Sequence, residues 1–402
     1  MGLRDILRDI PDPVWWRELG PRLRWILRPV LAPFEPGRRT RRMVGAAAIL
    51  AVAAVTAVVI SPTNGELSSN GPTWPMAAHP TRDNPVSRTN GFYVDPHGQP
   101  TVWVRDNPRD PRRSLIAEGI AQRPVARWFL GGWDDATSAR QYATAAARAH
   151  RLPVLVAYNI PRRDCGGYSA GGASDPAAYR SWIDGLAAGI GSRPAVVVLE
   201  PDALAGQTCL PAAWQRQYDR LIAYAVDRFR AVSPGTWVYV DAGHAAWIPP
   251  EVMAERLRRA HVANARGFSL NVSNYRSTEA NVDYGHAIAD ALGAKGISSR
   301  FLVDTSRNGR PTEDAQWCNP PGQRVGQAPR LGGSHALDMQ VWARPPGESD
   351  GQCGVGASVR AGEFSPAIAY SLLTETDPPG WRPGLALGLR RGADLWAVLR
   401  TS

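Results

Sequence analysis

From about residue 91 onward, short apolar and β-branched runs alternate with longer Ala- and Arg-rich stretches of helical spacing. The runs at 125–130, 153–158, 195–199, 236–240, 267–272, 300–303 and 339–342 read as seven strands. The stretches at 138–150, 176–190, 211–232, 250–260 and 279–292 read as helices between them. Such alternation predicts a parallel sheet with right-handed crossovers, and runs apolar at every position have both faces covered. Five of the runs stop abruptly at polar residues, reaching Asp164, Asp202, Asp241 with His244, Asp304, and Arg344 with Glu348 and Asp350. Chemistry at the strand C-termini is the mark of a (β/α) barrel. A single Asp past a strand is often only a helix N-cap, but five such ends together ask for more. An open doubly wound sheet fits less well, because no Gly-rich phosphate-binding turn opens a helix.

Upstream the pattern changes. An uncharged run of 18 residues begins at Met43 and ends at Ile60 (43–60), at the lower limit for spanning a bilayer. Arg38, Arg39, Arg41 and Arg42 precede it, which predicts a transmembrane anchor with a basic cytoplasmic segment at 1–42. The rival is a cleaved signal peptide and a secreted product; its n-region would be unusually long. Residues 61–90, rich in Ser, Pro, Asn, Thr and Gly, read as a disordered linker outside the cell, leaving 91–402 as the folded domain.

Composition alters this picture little. The net charge is +10, but residues 1–42 carry ten Arg against five Asp and Glu, half of the excess. No basic-aromatic recognition motif accompanies it, so nucleic acid is not an expected partner. Four cysteines, Cys165, Cys209, Cys318 and Cys353, all follow the expected span, in an oxidising compartment. Three pairings are possible; the local one, Cys165 with Cys209 and Cys318 with Cys353, is preferred. No zinc-ligand spacing appears, so neither metal nor cofactor is expected.

A ring of carboxylates without metal ligands suits glycosidic bond cleavage, which needs one protonated and one ionised carboxyl. The proton donor must have its pKa raised by burial or by a like-charged neighbour. Asp202 and Asp164 end strands adjacent in sequence and form such a candidate pair. Trp128, Tyr158, Trp247 and Trp317, near strand ends, are candidates to stack on sugar rings.

These residues carry a resemblance. Val198-Leu-Glu-Pro-Asp-Ala-Leu204, Tyr158-Asn-Ile-Pro-Arg-Arg-Asp-Cys165 and Tyr239-Val-Asp-Ala-Gly-His-Ala-Ala-Trp247 are similar to signatures of glycoside hydrolase family 6. So are Asn271-Val-Ser-Asn-Tyr275, Asp304-Thr-Ser-Arg-Asn-Gly309, Trp317-Cys318 and Pro346-Gly-Glu-Ser-Asp-Gly351, in the family's order. The family comprises inverting endoglucanases and cellobiohydrolases acting on β-1,4-glucan. The resemblance implies Asp202 as general acid, with Asp164 raising its pKa and helping to order the attacking water. It implies Asp350 as the base, directly or through a water chain, and Tyr158 pressing on the distorted sugar. Asp241 matches a further acidic residue of the site; Trp128, Trp247 and Trp317 match stacking positions; Asn274, Arg344 and Glu348 match polar sugar contacts. The implied disulfides are the local ones. Departures are Leu130, where Asp is frequent, Arg344, where Lys is frequent, and Ala170 (beside Ser169), where a water-holding Ser is frequent.

The expectation is therefore a membrane-anchored, monomeric, inverting endo-β-1,4-glucanase on a distorted seven-stranded parallel (β/α) barrel of TIM-like type. Endo action is expected because Cys353 ties down the segment after Asp350, too short to roof the cleft. The alternatives are a cell-surface glucan-binding protein with little turnover and a hydrolase of a different envelope β-glucan.

Overall fold

The computed structural model describes residues 84–312, 316–332, 336–374 and 376. Among these no helix is long and apolar enough to cross a membrane. The expected span at 43–60, the basic segment before it and most of the linker lie outside the described residues.

In chain order the elements are α1 Gln99–Asp106, α2 Arg113–Ile116 running into a π turn at Ala117–Ala121, β1 Arg127–Phe129, α3 Asp135–Arg148, β2 Val154–Ala157, α4 Pro176–Ile190 and β3 Ala195–Leu199. There follow α5 Ala203–Gly206, α6 Ala212–Val232, β4 Thr236–Asp241, α7 Pro250–Arg259, β5 Gly267–Leu270 and α8 Thr278–Gly293. The last are β6 Arg300–Asp304, β7 Arg330–Leu331, β8 Leu337–Val341 and α9 Pro366–Thr374. The sheet order is β1-β2-β3-β4-β5-β6-β8-β7, parallel throughout except for β7, which runs antiparallel along β8. All seven expected strands are present. β7 is an addition: two residues carry no periodicity to read.

The helix boundaries follow local chemistry. Asp175 caps α4, its carboxylate accepting from Ala177 N at 2.8 Å and Ala178 N at 2.9 Å, with Pro176 in the first turn. Ser277 caps α8 through Ala280 N at 3.1 Å. Such a cap contributes typically about 1 kcal/mol. The last residues of the expected linker are also built into the fold. Asn84 Oδ1 accepts from Val86 N at 3.0 Å, and Asn90 N donates to His150 O at 2.7 Å.

Alternation along the strands separates two cores. Leu155, Val197, Val240, Phe268 and Phe301 face the helices, joining Tyr179, Ile183, Leu221 and Phe229. Val154, Val156, Val196, Val198, Tyr239, Leu302 and Met339 face inward, filling the curl of the sheet. Tyr158 continues the inward row just beyond β2 and closes the top of that inner core. The two ends of the curl meet through one backbone bond, Ala126 N to Trp342 O at 2.9 Å, and through Trp128 Nε1 to Ala343 O at 2.7 Å. No ladder joins β1 to β8 among the described residues. The curled parallel α/β sheet thus stays open along one seam, and the cleft described next crosses the C-terminal ends of its strands.

Candidate active site

The strand ends are forced into turns that ordinary residues resist. Asp164, Glu200, Asp202, Asn271 and Ser273 all have φ between 52° and 66°, in the left-handed region. Each costs of order 1 kcal/mol or more and persists only where its surroundings impose it. Three buried carboxylates impose it. Glu200 reaches from β3 to β2, accepting from Asn159 N at 3.1 Å and Ile160 N at 2.9 Å. Asp241 reaches from β4 to β3, accepting from Asp202 N at 2.9 Å, and also takes Gly243 N at 3.0 Å and Ser269 Oγ at 3.1 Å. Asp304 reaches from β6 to Ser273 N at 2.9 Å and Ala343 N at 3.2 Å. Burial, against these hydrogen bonds, pushes the Glu200 and Asp241 carboxyls up to about 7. Asp241, expected to contact sugar, is 1% exposed and its oxygens are turned to Asp202 N, Gly243 N and Ser269 Oγ, so it lies behind Asp202 rather than in the cleft wall.

Asp164, Asp202 and Asp350 face one chamber of the cleft. Asp202 is pushed well above the usual carboxyl range, first by burial, then by the charges of Asp241, Asp164 and Asp350, with Arg344 opposing. Those are the conditions for a group that enters the reaction carrying its proton. Asp164 is exposed, and its Oδ2 accepts from Ser169 N at 2.6 Å. Asp350 is buried, and both its oxygens are taken. Arg307 Nη2 donates to Oδ1 at 2.8 Å and Nη1 to Oδ2 at 3.1 Å, while Tyr275 Oη at 2.9 Å and Asn319 N at 3.0 Å also donate to Oδ2.

The cleft has two chambers that share Trp128, Tyr158, Ser169 and Arg344. The one of about 390 Å³ contains the three carboxylates with Trp247, Asn274 and Trp317. Trp247 and Trp317 are 39% and 51% exposed, so these ring faces are open to a ligand. The other, of about 400 Å³, runs past Trp128 toward α1 and contains Glu348, Leu130 and Ala170. The Trp128 and Tyr158 rings meet edge-on at 5.5 Å, and the Arg163 guanidinium lies 4.7 Å from the Tyr158 centroid. Burial, then the Asp202 and Asp164 charges, push the Tyr158 phenol upward, so it stays neutral. All the expected site residues except Asp241 therefore line one cleft.

The disulfides are Cys165–Cys209 and Cys318–Cys353, with Cα separations of 6.4 and 5.9 Å. The first ties the residue after Asp164 to the turn following Asp202; the second anchors the segment after Asp350. Asn319 strengthens that anchor, its Nδ2 donating to Gly351 O at 2.8 Å and Ser349 Oγ at 3.0 Å. Among the described residues no cluster of three or more His, Cys, Asp or Glu is arranged to hold a metal ion.

Reading the residues alone missed Glu200 and Asp304 as braces, and Tyr275, Arg307 and His244. His244 lines the cleft beside Trp247, with ring centroids 5.2 Å apart. Burial, helped by Arg276, lowers its pKa to about 4, so it is neutral above that pH. The signals were the motifs holding Arg307 and His244, which gave no hint of their partners.

Comparison with known proteins decides what this arrangement belongs to. The profile of the family described as Glycosyl hydrolases family 6 matches residues 88–376. The chain belongs to glycosyl hydrolases family 6. Among its family 6 relatives, Endoglucanase 1 of Streptomyces halstedii is 47% identical over 294 residues, 72% of this chain and 90% of that one. Endoglucanase A of Thermobispora bispora is 41% identical over 350 residues, 86% and 72% of the two chains. The structure of the endoglucanase Cel6 from Mycobacterium tuberculosis, in complex with methyl-cellobiosyl-4-deoxy-4-thio-β-D-cellobioside, is similar with a TM-score of 0.66 and 39% identity. It covers 72% of this chain and 98% of that chain.

Proposed function

We infer that this family 6 chain hydrolyses β-1,4-glucan at internal bonds with inversion, and that Asp202 donates the proton to the leaving oxygen. The observation that carries the reading is the environment of Asp202: a cleft carboxyl pushed up by burial and by three neighbouring carboxylates. Its relatives support the substrate, being endoglucanases, one of them held with a thio-linked cello-oligosaccharide analogue.

The chemistry follows from the positions. A glucan chain lies along the cleft against Trp128, Trp247 and Trp317, over Tyr158, with Asn274, Arg344 and Glu348 meeting its hydroxyls. Asp202 delivers its proton as the bond breaks. In an inverting reaction water attacks the opposite face of the sugar. Asp164 has one oxygen held by Ser169 N, and that bond directs the carboxylate toward ordering the water. Asp350, with both oxygens occupied, stabilises positive charge on the sugar and takes up the water's proton through intervening water rather than directly. Asp241 fixes the Asp202 backbone, so its part in substrate binding is indirect. Ser169, which lines both chambers, stands where Ala170 lacks a hydroxyl.

Open ring faces at Trp247 and Trp317, and a post-Asp350 segment anchored by Cys318–Cys353, support an uncovered cleft that admits internal chain segments. The test is the viscosity of carboxymethyl-cellulose against reducing ends released. A steep early fall supports endo action; disaccharide release at nearly constant viscosity overturns it. We read the curled sheet as a distorted seven-stranded barrel and the chain as a monomer. We read residues 43–60 as its membrane anchor, with the catalytic domain outside. Recovery of a soluble form beginning near residue 60 would replace the anchor with a cleaved signal.

A further inference from the structure

The wall of the chamber that runs past Trp128 includes a residue from an element remote in sequence. Gln99, the first residue of α1, stands at the rim and is itself open to solvent. Its Nε2 donates to Glu348 Oε1 at 2.7 Å and to Gly362 O at 2.9 Å, and its Oε1 accepts from Phe364 N at 3.0 Å. Glu348 is buried, and its other oxygen, Oε2, lies 3.4 Å from Arg344 Nε. The Arg344 guanidinium in turn lies 5.4 Å from the centroid of Trp128. A chain of contacts therefore runs from Gln99 through Glu348 and Arg344 to the aromatic platform.

We propose that Gln99 is a positioning residue for glucan binding in this chamber. It orients the Glu348 carboxylate, and through it Arg344, while fixing the Gly362 edge of the wall. The inference rests on the glucan reading of the cleft. An amide suits this position because it can donate to a carboxylate and to a carbonyl while accepting from a backbone N–H, which no hydroxyl, carboxylate or ammonium does with the same reach. Without it, Glu348 keeps Arg344 as its charged partner but loses the bond that sets which way its free edge points. The Gln99–Glu348 bond is itself part-buried, so water replaces the missing donor only in part.

The test is calorimetric binding of cellohexaose to the full chain carrying Asp202→Asn, which slows hydrolysis, with and without Gln99→Met or Gln99→Glu. Gln99→Met, close in shape but without the amide, is expected to raise Kd about threefold to tenfold, the worth of one net hydrogen bond. In the hydrolytic background the same change should appear in KM with kcat nearly unmoved, since Gln99 touches no reacting atom. Gln99→Glu sets carboxylate against carboxylate, and the pair then binds a shared proton. Its binding deficit should therefore shrink as the pH falls, within the field of Arg344, Arg307 and Asp350 that surrounds Glu348. Unchanged Kd for both variants overturns the proposal. So does a loss of thermal stability with Kd unmoved, which would make Gln99 a brace of the fold only. Binding by the Asp202→Asn chain without hydrolysis by the wild type would sink the hydrolase reading and leave the result on Gln99 standing.

Discussion

Replacing Arg307 with Met tests how Asp350 is held. The pair is buried, the two side chains being 1% and 7% exposed, and the guanidinium makes two bonds to the carboxylate, at 2.8 and 3.1 Å. Arg307→Met removes both and leaves Tyr275 Oη and Asn319 N as donors, neither of which carries charge. Breaking a buried pair on one side costs about 3–5 kcal/mol, because the remaining charge is uncompensated. At about 2–4 °C per kcal/mol, that is a fall in Tm of about 6–20 °C. The double variant Arg307→Met with Asp350→Asn should recover part of the loss, since neither side chain of the pair then carries charge. Calorimetric or circular-dichroism melts of the single and double variants measure both. A loss below about 1 kcal/mol, or one that the double variant does not reduce, would refute the reasoning and free Asp350 to act as a direct base.

Asp202→Ala should lower turnover of an unactivated glucan by roughly 10²–10⁴, and that of a substrate with a good leaving group by less; equal losses on both would remove Asp202 as proton donor. Glu200, Asp241 and Glu348 are each pushed up to about 7, so the folded chain holds protons that the unfolded chain has released. Stability should therefore decline as pH rises from about 4.5 to about 7, with a smaller slope in Glu200→Gln; a flat Tm over that range contradicts it. Removing the Cys165–Cys209 bridge by a double Ser substitution should cost roughly 2–4 kcal/mol, from the 44-residue separation it spans, and lower activity through the Asp164 turn. An unchanged Tm and kcat would show that the bridge constrains nothing.

The fold was legible where burial writes directly into composition. Ala195–Leu199 and Thr236–Asp241 are wholly buried, so uniform apolar runs located them. α4 was bounded by Pro176 and a left-handed Gly191, both visible in the chain. β7 was not legible, because its pairing with β8 depends on a fold already formed. The site divides along the same line. That carboxylates gather at the strand ends can be read from the chain; which of them turn back to the backbone cannot. Glu200 and Asp202 are two residues apart, yet one braces the turn before Asp164 and the other faces the cleft. Only the neighbouring strand, some 40 residues away, distinguishes them. The Gln99–Glu348 contact, across 249 residues, lies wholly beyond such reading.

The most direct measurement is the anomeric configuration of the first product, followed by proton NMR in the opening minutes of glucan hydrolysis. If Asp202 protonates the leaving oxygen while water attacks the opposite face, with room of roughly 6.5–9.5 Å between the flanking carboxyls, the bond must invert. The α-anomer should then appear first, with the β-anomer growing only as mutarotation proceeds. Initial formation of the β-anomer would contradict this and require a covalent sugar intermediate on one of the carboxylates.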